Sequence, residues 1–317
     1  MFVITVTESL LEKKLQESLE KGMLPDWALY IKNAGAQSWL ALDRSDDFPI
    51  ASDLTALLAK SIPSLVSLLH PGSALVSIGP GSGGKERLLL EAGGSEKFRA
   101  YYAVDISREL LEIALNNAAD IPIEAAGIVA FFEDLPAIRH YWRSPMVVCM
   151  LGNNFCNYKP ADLFAAIADH CGSQDFFMFD CQLINEESGI ASRKAIEKVY
   201  RSARNRGFNI APLLSRGLDE KNCEFALDLI TEETRWGAIA RTRKTVRFSC
   251  EATIRCGDRE IVFPAGSTIT CGFTYKYTVE QLQAIMDHYG FAPAREWMNT
   301  ECSNVLVLAQ KKRGQSW

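Results

Sequence analysis

"LVSIGPGSGGKERLLL", residues 75–90, is the stretch on which the reading of this chain turns. An apolar run of strand type leads into a cluster of glycines, and a helix-type segment follows. Glycines in that setting let the backbone turn sharply and approach a ligand closely. Two standard spacings overlap. Gly79-x-x-x-x-Gly84-Lys85 is most of a phosphate-binding loop, but Glu86 stands where that loop needs a hydroxyl for Mg²⁺, and its carboxylate would face phosphate oxygens. Gly79-x-Gly81-x-x-Gly84 is a dinucleotide fingerprint, and Asp105 ends the next strand where an acid can bind a ribose diol. A plainer reading has turn glycines of any α/β fold, with Asp105 capping the helix that begins near Arg108.

Outward from this stretch, strand and helix patterns alternate. "ALVSIG", "RAYYAVDIS", "GIVAFFEDL", "MVVCML" and "DFFMFDCQL" read as strands, while "KERLLLEAG", "RELLEIALNNA" and "ADLFAAIADHC" read as helices. Such alternation predicts a parallel, doubly wound sheet, because each crossover needs a covering helix. Upstream, residues 8–22 and 52–69 read as helices. Downstream, one long helix over "SRKAIEKVYRSARNRG" precedes an alternating stretch with a turn at Cys256-Gly257-Asp258, which reads as an antiparallel insert. The helix "TVEQLQAIMDHYG" and two strands in "FAPAREWMNTECSNVLVLAQKK" then complete a seven-stranded sheet whose last strand runs antiparallel.

The bulk composition narrows the function. A chain of 317 residues, 48 % hydrophobic and 23 % charged, has the make-up of a globular protein with a proper core. Its net charge of -5 supplies no field for a phosphate backbone, so no nucleic-acid partner is expected. No apolar run reaches membrane length, and "MFVITVTESLLEKKLQESLEKG" turns charged too early for a secretory signal, so no membrane partner and a cytoplasmic location are expected. Nine cysteines without a Cys-x-x-Cys pair and four scattered histidines (His70, His140, His170, His288) predict reduced thiols and no metal site.

The glycine turn and Asp105 suit any ligand built on an adenosine ribose, and S-adenosylmethionine is one. Its methionine tail is a zwitterion, so a cation such as Lys85 is useful beside the turn. A second acid after the third strand would pair with the adenine amino group, and "FFEDLP" supplies Glu133 and Asp134 there.

The runs Gly79-Pro80-Gly81-Ser82-Gly83-Gly84-Lys85, Tyr102-Ala103-Val104-Asp105-Ile106-Ser107 and Leu151-Gly152-Asn153-Asn154-Phe155-Cys156-Asn157-Tyr158, together with "LPDWALY", "LLSR" and "KYTVEQL", resemble the histidine-specific N-α-methyltransferases of ergothioneine biosynthesis. The resemblance spans most of the chain, in order. It implies a class I methyltransferase (Rossmann-like) doubly wound sheet with a second α+β substrate-binding domain. The units are a helical segment (1–60) contributing to the substrate domain, the Rossmann-like domain (61–190), the antiparallel insert (191–278) and a closing helix and hairpin (279–317). It implies S-adenosylmethionine as cofactor, held by Gly79, Gly81, Lys85, Asp105, Gly152 and the pair Asp134–Leu135, with Glu133 one residue away as the alternative.

For the acceptor, the resemblance implies Asn157 and Tyr200 against an amino-acid carboxylate, with Tyr30 retained from the N-terminal segment. Departures bear on specificity. The family holds a Glu and a Ser against the imidazole, where this chain has Gly272 and Thr274, and Phe48 stands in a replaced aromatic motif. Loss of a carboxylate that pairs with a basic ring predicts poor binding of histidine itself. The expected reaction is therefore methyl transfer to the amino group of another small amino acid or related amine, an aromatic one by analogy with the fungal dimethylallyltryptophan relatives. No histidine stands near a matched position, so no dedicated base is expected; a tyrosine hydroxyl, water or binding of the neutral amine would serve. An NAD(P)-dependent oxidoreductase and a non-catalytic methyltransferase-fold protein remain as alternatives.

Overall fold

A computed structural model of the chain describes residues 1–187 and 191–312. Residues 188–190 and 313–317, at the ends of the expected units 61–190 and 279–317, lie outside the described residues. The chain opens with β1 (Phe2–Ile4), α1 (Glu8–Leu19), β2 (Met23–Leu24), α2 (Lys32–Asp43) and α3 (Pro49–Leu68). The alternating series follows as β3 (Ser73–Ile78), α4 (Gly84–Lys97), β4 (Phe98–Asp105), α5 (Arg108–Asn117), β5 (Glu124–Val129), α6 (Leu135–Ile138), β6 (Met146–Met150), α7 (Pro160–His170) and β7 (Phe176–Gln182). Next come α8 (Arg193–Tyr200), α9 (Ala203–Leu214), β8 (Cys223–Thr234), β9 (Gly237–Phe248), β10 (Ala252–Cys256), β11 (Arg259–Phe263), β12 (Thr268–Cys271) and β13 (Tyr275–Lys276). The described chain closes with α10 (Val279–His288), β14 (Phe291–Met298) and β15 (Asn304–Lys311).

The main sheet runs β1-β5-β4-β3-β6-β7-β15-β14. Strands β3 to β7 are parallel, and β15 is antiparallel to both of its neighbours. The sheet has eight strands rather than seven, because Phe2–Ile4 adds in parallel to the edge of β5. Three residues are too short for a period-2 signal, so the sequence did not announce that strand. Side chains leave the central strands alternately for two covered faces. Val76 and Ile78 join Phe164, Phe179 and Met286 on one side, while Leu75 joins Leu89, Leu90 and Leu111 on the other. Burial on both faces is why these strands read as continuous apolar runs.

Two further boundaries differ from expectation. The third central strand stops at Val129, and Phe132–Asp134 forms a turn of 3₁₀ helix. The expected long helix over residues 192–207 is two helices, because the Ser202 hydroxyl accepts the Asn205 N–H at 3.3 Å and caps a new start.

The parallel register aligns the carboxyl ends of β3, β4, β5 and β6 along one edge, pairing Ile78 with Val104, Asp105 with Val129 and Ser77 with Cys149. From β3 the chain proceeds to β4 and β5 on one side and then crosses to β6 on the other. The crevice outside β3 and β6 is therefore the topological switch point, where open α/β sheets bind ligands.

Over this edge sits a second sheet, β13-β9-β12-β2, with β8 also on β9 and a separate β10–β11 hairpin. The β2 strand comes from the N-terminal segment and pairs in parallel with β12, Met23 with Thr270 and Leu24 with Cys271. Leu24, Leu29 and Leu54 share one core with Ile196, Phe208, Val246, Phe248 and Ile269. That pairing fixes the residues after Leu24 against those after Cys271, which decides one wall of the site. Among the described residues, no helix is long and apolar enough to cross a membrane.

Candidate active site

At the switch point lies a cavity of about 570 Å³, within the usual size range of small-molecule sites. Gly79, Gly81 and Lys85 line it from the glycine turn, Asp105 from the end of β4, and Gly152 from the loop after β6. A side chain at Gly79 would overlap the Asn154 amide, which donates to the Ile78 carbonyl at 2.8 Å and ties the two loops together. Lys85 extends across the crevice, so that a Cβ on Gly152 would lie 3.1 Å from its ammonium.

The third glycine of the dinucleotide spacing is not where the geometry needs one. Gly84 is helical, and a Cβ there would meet nothing nearer than the Ser82 hydroxyl at 3.7 Å. Gly83 has φ 75°, and a Cβ there would lie 2.8 Å from Ala114 Cα on α5. The close helix packing that the dinucleotide motif assigns to its last glycine falls one residue early. Glu86 faces inward instead of toward a phosphate. It is buried and accepts the Ser77 hydroxyl at 2.7 Å, and burial pushes its pKa up against the opposing charge of Lys85.

Asp105 does not cap α5. Ser107 does so, accepting from the Leu110 N–H, while Asp105 accepts the Ser107 N–H at 2.9 Å and keeps its carboxylate at the cavity wall. Burial raises its pKa to about 6, opposed by the backbone N–H groups of Ser107 and Ile106. After β5 the expected pair is displaced. Asp134 turns back to accept the Phe131 N–H at 3.4 Å, and Leu135 is buried in the core under the sheet. Phe132 and Glu133 line the cavity in their place. The strand reading ran to Leu135, but β5 stops at Val129 and the 3₁₀ turn starts at Phe132, so the side chains after the strand are rotated from the expected register.

Asp180, on β7, was missed. It is fully buried and accepts the Gly152 N–H at 3.0 Å and the Asn153 N–H at 2.7 Å, holding the loop that faces Lys85. An acid following the four apolar residues of "FFMF" in "DFFMFDCQL" was the available signal.

The acceptor-side residues divide. Tyr30 and Asn157 line the cavity, and the Thr274 hydroxyl donates to Asn157 Oδ1 at 3.1 Å from behind. Tyr200 lies behind that wall, where its hydroxyl accepts from Lys276 at 3.0 Å and from Asn153 at 3.5 Å. Phe48 packs edge-on against Tyr200 in the core, 5.9 Å between centroids, and does not reach the cavity. Gly272 does not reach it either. The space into which a residue 272 side chain would project holds the Asp26 carboxylate. The expectation of an open space walled by Phe48, Phe273 and Tyr275 is thus corrected: Phe273 lines the cavity, Tyr275 is buried with its hydroxyl on Glu232, and Asp26 fills the gap.

The lining combines aromatic walls and negative charge. Tyr30 packs on Trp39 at 5.5 Å, Phe132 on Tyr158 at 4.4 Å, and Trp27 on Phe131 at 5.5 Å. Asp26, Asp43, Asp105, Glu133 and Asp162 face Lys85 and Lys159. Such a lining favours a cation with flat apolar groups. Among the described residues, no histidine lines it.

A doubly wound sheet with an antiparallel closing strand, a glycine turn at its switch point, an acid ending the second central strand and another after the third define a class I S-adenosylmethionine-dependent methyltransferase. The chain belongs to the histidine-specific, S-adenosylmethionine-dependent methyltransferase family, whose profile matches residues 7–311. It is 24 % identical to the N-methyltransferase fsqC of Aspergillus fumigatus over 294 residues, 88 % of this chain and 77 % of that one. It is 21 % identical to the 4-dimethylallyltryptophan N-methyltransferase ifgB of Penicillium roqueforti over 330 residues, 95 % of this chain and 94 % of that one. Among solved structures it is similar to magnesium protoporphyrin IX methyltransferase from Synechocystis with bound SAH, at TM-score 0.47 and 14 % identity, covering 89 % of this chain and 97 % of that one.

Proposed function

We propose that the protein transfers a methyl group from S-adenosylmethionine to the amino group of a small amino acid or related amine other than histidine. The residues present fit the cofactor. Gly79 leaves the turn open only because it lacks a side chain, Lys85 reaches Gly152 across the crevice, and one acid ends β4 while another stands in the turn after β5. On this reading Gly79, Gly81, Gly152 and Lys85 would hold the methionine and ribose portions, Asp105 the sugar hydroxyls, and Glu133 the adenine amino group. When bound, the cofactor supplies a methyl group activated on a sulfonium.

The residues of the chain have to place and desolvate an amine, since holding the reacting atoms in line accounts for most of the acceleration in a displacement of this kind. Asn157 faces the cavity with its carbonyl oxygen occupied by Thr274, which leaves its NH₂ group to donate to an acceptor carboxylate. An amide adds no positive charge beside a sulfonium. Tyr30 and Tyr158 have phenols whose pKa values are raised by burial and by the nearby carboxylates, so both stay protonated and serve as hydrogen-bond donors or acceptors. Trp27, Tyr30 and Phe273 give the acceptor side an aromatic wall, which supports an aromatic acceptor. In this reading the substrate side is assembled from the N-terminal segment (1–60) and the insert (191–278), as the β2–β12 pairing supports.

The observation that carries this reading is the convergence of Asp105, Glu133, Lys85 and Asn157 on one anionic cavity at the switch point. The test is incubation with methyl-labelled S-adenosylmethionine and a panel of free amino acids and amines, with mass-spectrometric identification of products. Label on an amine nitrogen is the expected outcome, while label on oxygen or carbon, or no transfer to any amine, refutes the assignment.

A further inference from the structure

Asp26 was not singled out by the sequence, yet its placement is the most specific feature of the acceptor side. It follows β2, whose pairing with β12 sets it directly against Gly272, and the Gly272 N–H donates to the Leu24 carbonyl at 3.2 Å. Gly272 has φ 47°, and a Cβ on it would overlap the Asp26 carboxylate. The glycine and the acid are complementary, so the position is reserved for that carboxylate. It is half-buried and lines the cavity.

Its partners do not explain it as a structural ion pair. The Phe273 backbone N–H hydrogen bonds to it, and the buried Lys244 of β9 acts on it through space without contact. A carboxylate drawn partly out of solvent, with its counter-ion held at a distance, stabilises a fold poorly. Its remaining neighbours are those of a ligand subsite: Tyr30, Tyr158 and Phe273 line the same cavity beside it. Tyr30 and Tyr158 both feel the charge of Asp26 and the charge of Asp105, so the two acids face a common space across these phenols. The NH₂ group of Asn157 lies open on the same wall.

We propose that Asp26 is the specificity-determining anion of the acceptor side, and that it receives the protonated nitrogen of an aromatic amine or amino acid, whose proton passes to the Asp26 carboxylate or to water before the freed lone pair takes the methyl group. The inference rests on the methyltransferase reading above and deepens it. A carboxylate is present on the acceptor side despite Gly272, but it enters from the opposite element. Histidine is therefore disfavoured by where the charge stands and not by its absence.

The test is isothermal titration of tryptamine and of its neutral analogue indole-3-ethanol into the full chain saturated with S-adenosylhomocysteine. The wild type is expected to bind the amine about 10–100 times more tightly than the alcohol, the range that loss of a charged partner in a desolvated site produces. Asp26→Asn is expected to abolish that preference while leaving alcohol and S-adenosylhomocysteine affinities within about twofold. Equal binding of amine and alcohol by the wild type, absence of both included, overturns the proposal. So does an Asp26→Asn protein that keeps the preference. The wild-type comparison stands alone if the variant does not fold. S-adenosylhomocysteine binding without amine preference sinks only this inference, whereas failure to bind S-adenosylhomocysteine sinks the reading beneath it.

Discussion

Replacing Gly83 and Gly84 separately by alanine distinguishes the turn seen here from a dinucleotide turn. At Gly83 the added Cβ would sit 2.8 Å from Ala114 Cα, 2.9 Å from Ala114 Cβ and 3.1 Å from the Ala114 carbonyl oxygen. Ala114 is fully buried on α5, so backbone and not a flexible side chain has to move. Overpacking of that sort costs about 1–3 kcal/mol. The φ of 75° adds about 1–2 kcal/mol for any L-residue in the left-handed region. Together Gly83→Ala should lose about 2–5 kcal/mol and push the turn away from its ligand. Gly84→Ala makes only an ordinary contact with the Ser82 hydroxyl, 3.7 Å away, at a helical position and should be neutral or gain up to about 1 kcal/mol. Thermal denaturation with and without S-adenosylhomocysteine reads both effects. A damaging Gly84→Ala beside a silent Gly83→Ala refutes this loop geometry and restores the dinucleotide spacing.

Exchange of the acids after β5 should separate their roles: Glu133→Gln weakens S-adenosylhomocysteine binding about tenfold, and Asp134→Asn leaves it within about twofold, by titration calorimetry. Burial raises Asp105 and Asp26 to about 6, above their unfolded values. The unfolded chain then binds fewer protons between about pH 4 and 6, so the ligand-free protein loses stability as pH rises through that window. Affinity for S-adenosylhomocysteine should move oppositely, rising toward a plateau above pH 6 as Asp105 ionises to accept the sugar hydroxyls; a flat profile contradicts that role. Asp180→Asn, which halves the acceptor capacity holding Gly152 and Asn153, should lower kcat and S-adenosylhomocysteine affinity together, and unchanged affinity would show the loop needs no such tether. Thr274→Val frees Asn157 to rotate and should raise the acceptor KM about threefold to tenfold with S-adenosylhomocysteine binding intact.

What the sequence disclosed follows from the range of the interactions involved. The parallel sheet was legible because β3, β6 and β7 are buried on both faces and are predominantly apolar, and because Gly79, Asp105 and Gly152 sit at or just beyond strand ends fixed by that pattern. Boundaries set by single hydrogen bonds were not. The Ser202 cap split a helix whose two halves have continuous helical character, and the turn at Phe132 put Glu133 on the cavity wall in place of Asp134. The acceptor wall was least legible, since Asp26 meets Gly272 only through a two-residue parallel pairing across most of the chain length. Reading position 272 alone showed a missing carboxylate; folding brought one from elsewhere.

We propose above all that Asp105 holds the ribose of an S-adenosyl ligand over the turn from Gly79 to Lys85. Titration calorimetry of the wild type and of Asp105→Ala with S-adenosylhomocysteine, with NAD⁺ as the control ligand, tests it most directly. Saturable binding of S-adenosylhomocysteine by the wild type, at least about tenfold weaker binding by Asp105→Ala, and no binding of NAD⁺ are expected. Binding of NAD⁺ in preference to S-adenosylhomocysteine, or an Asp105→Ala protein with undiminished affinity, contradicts it.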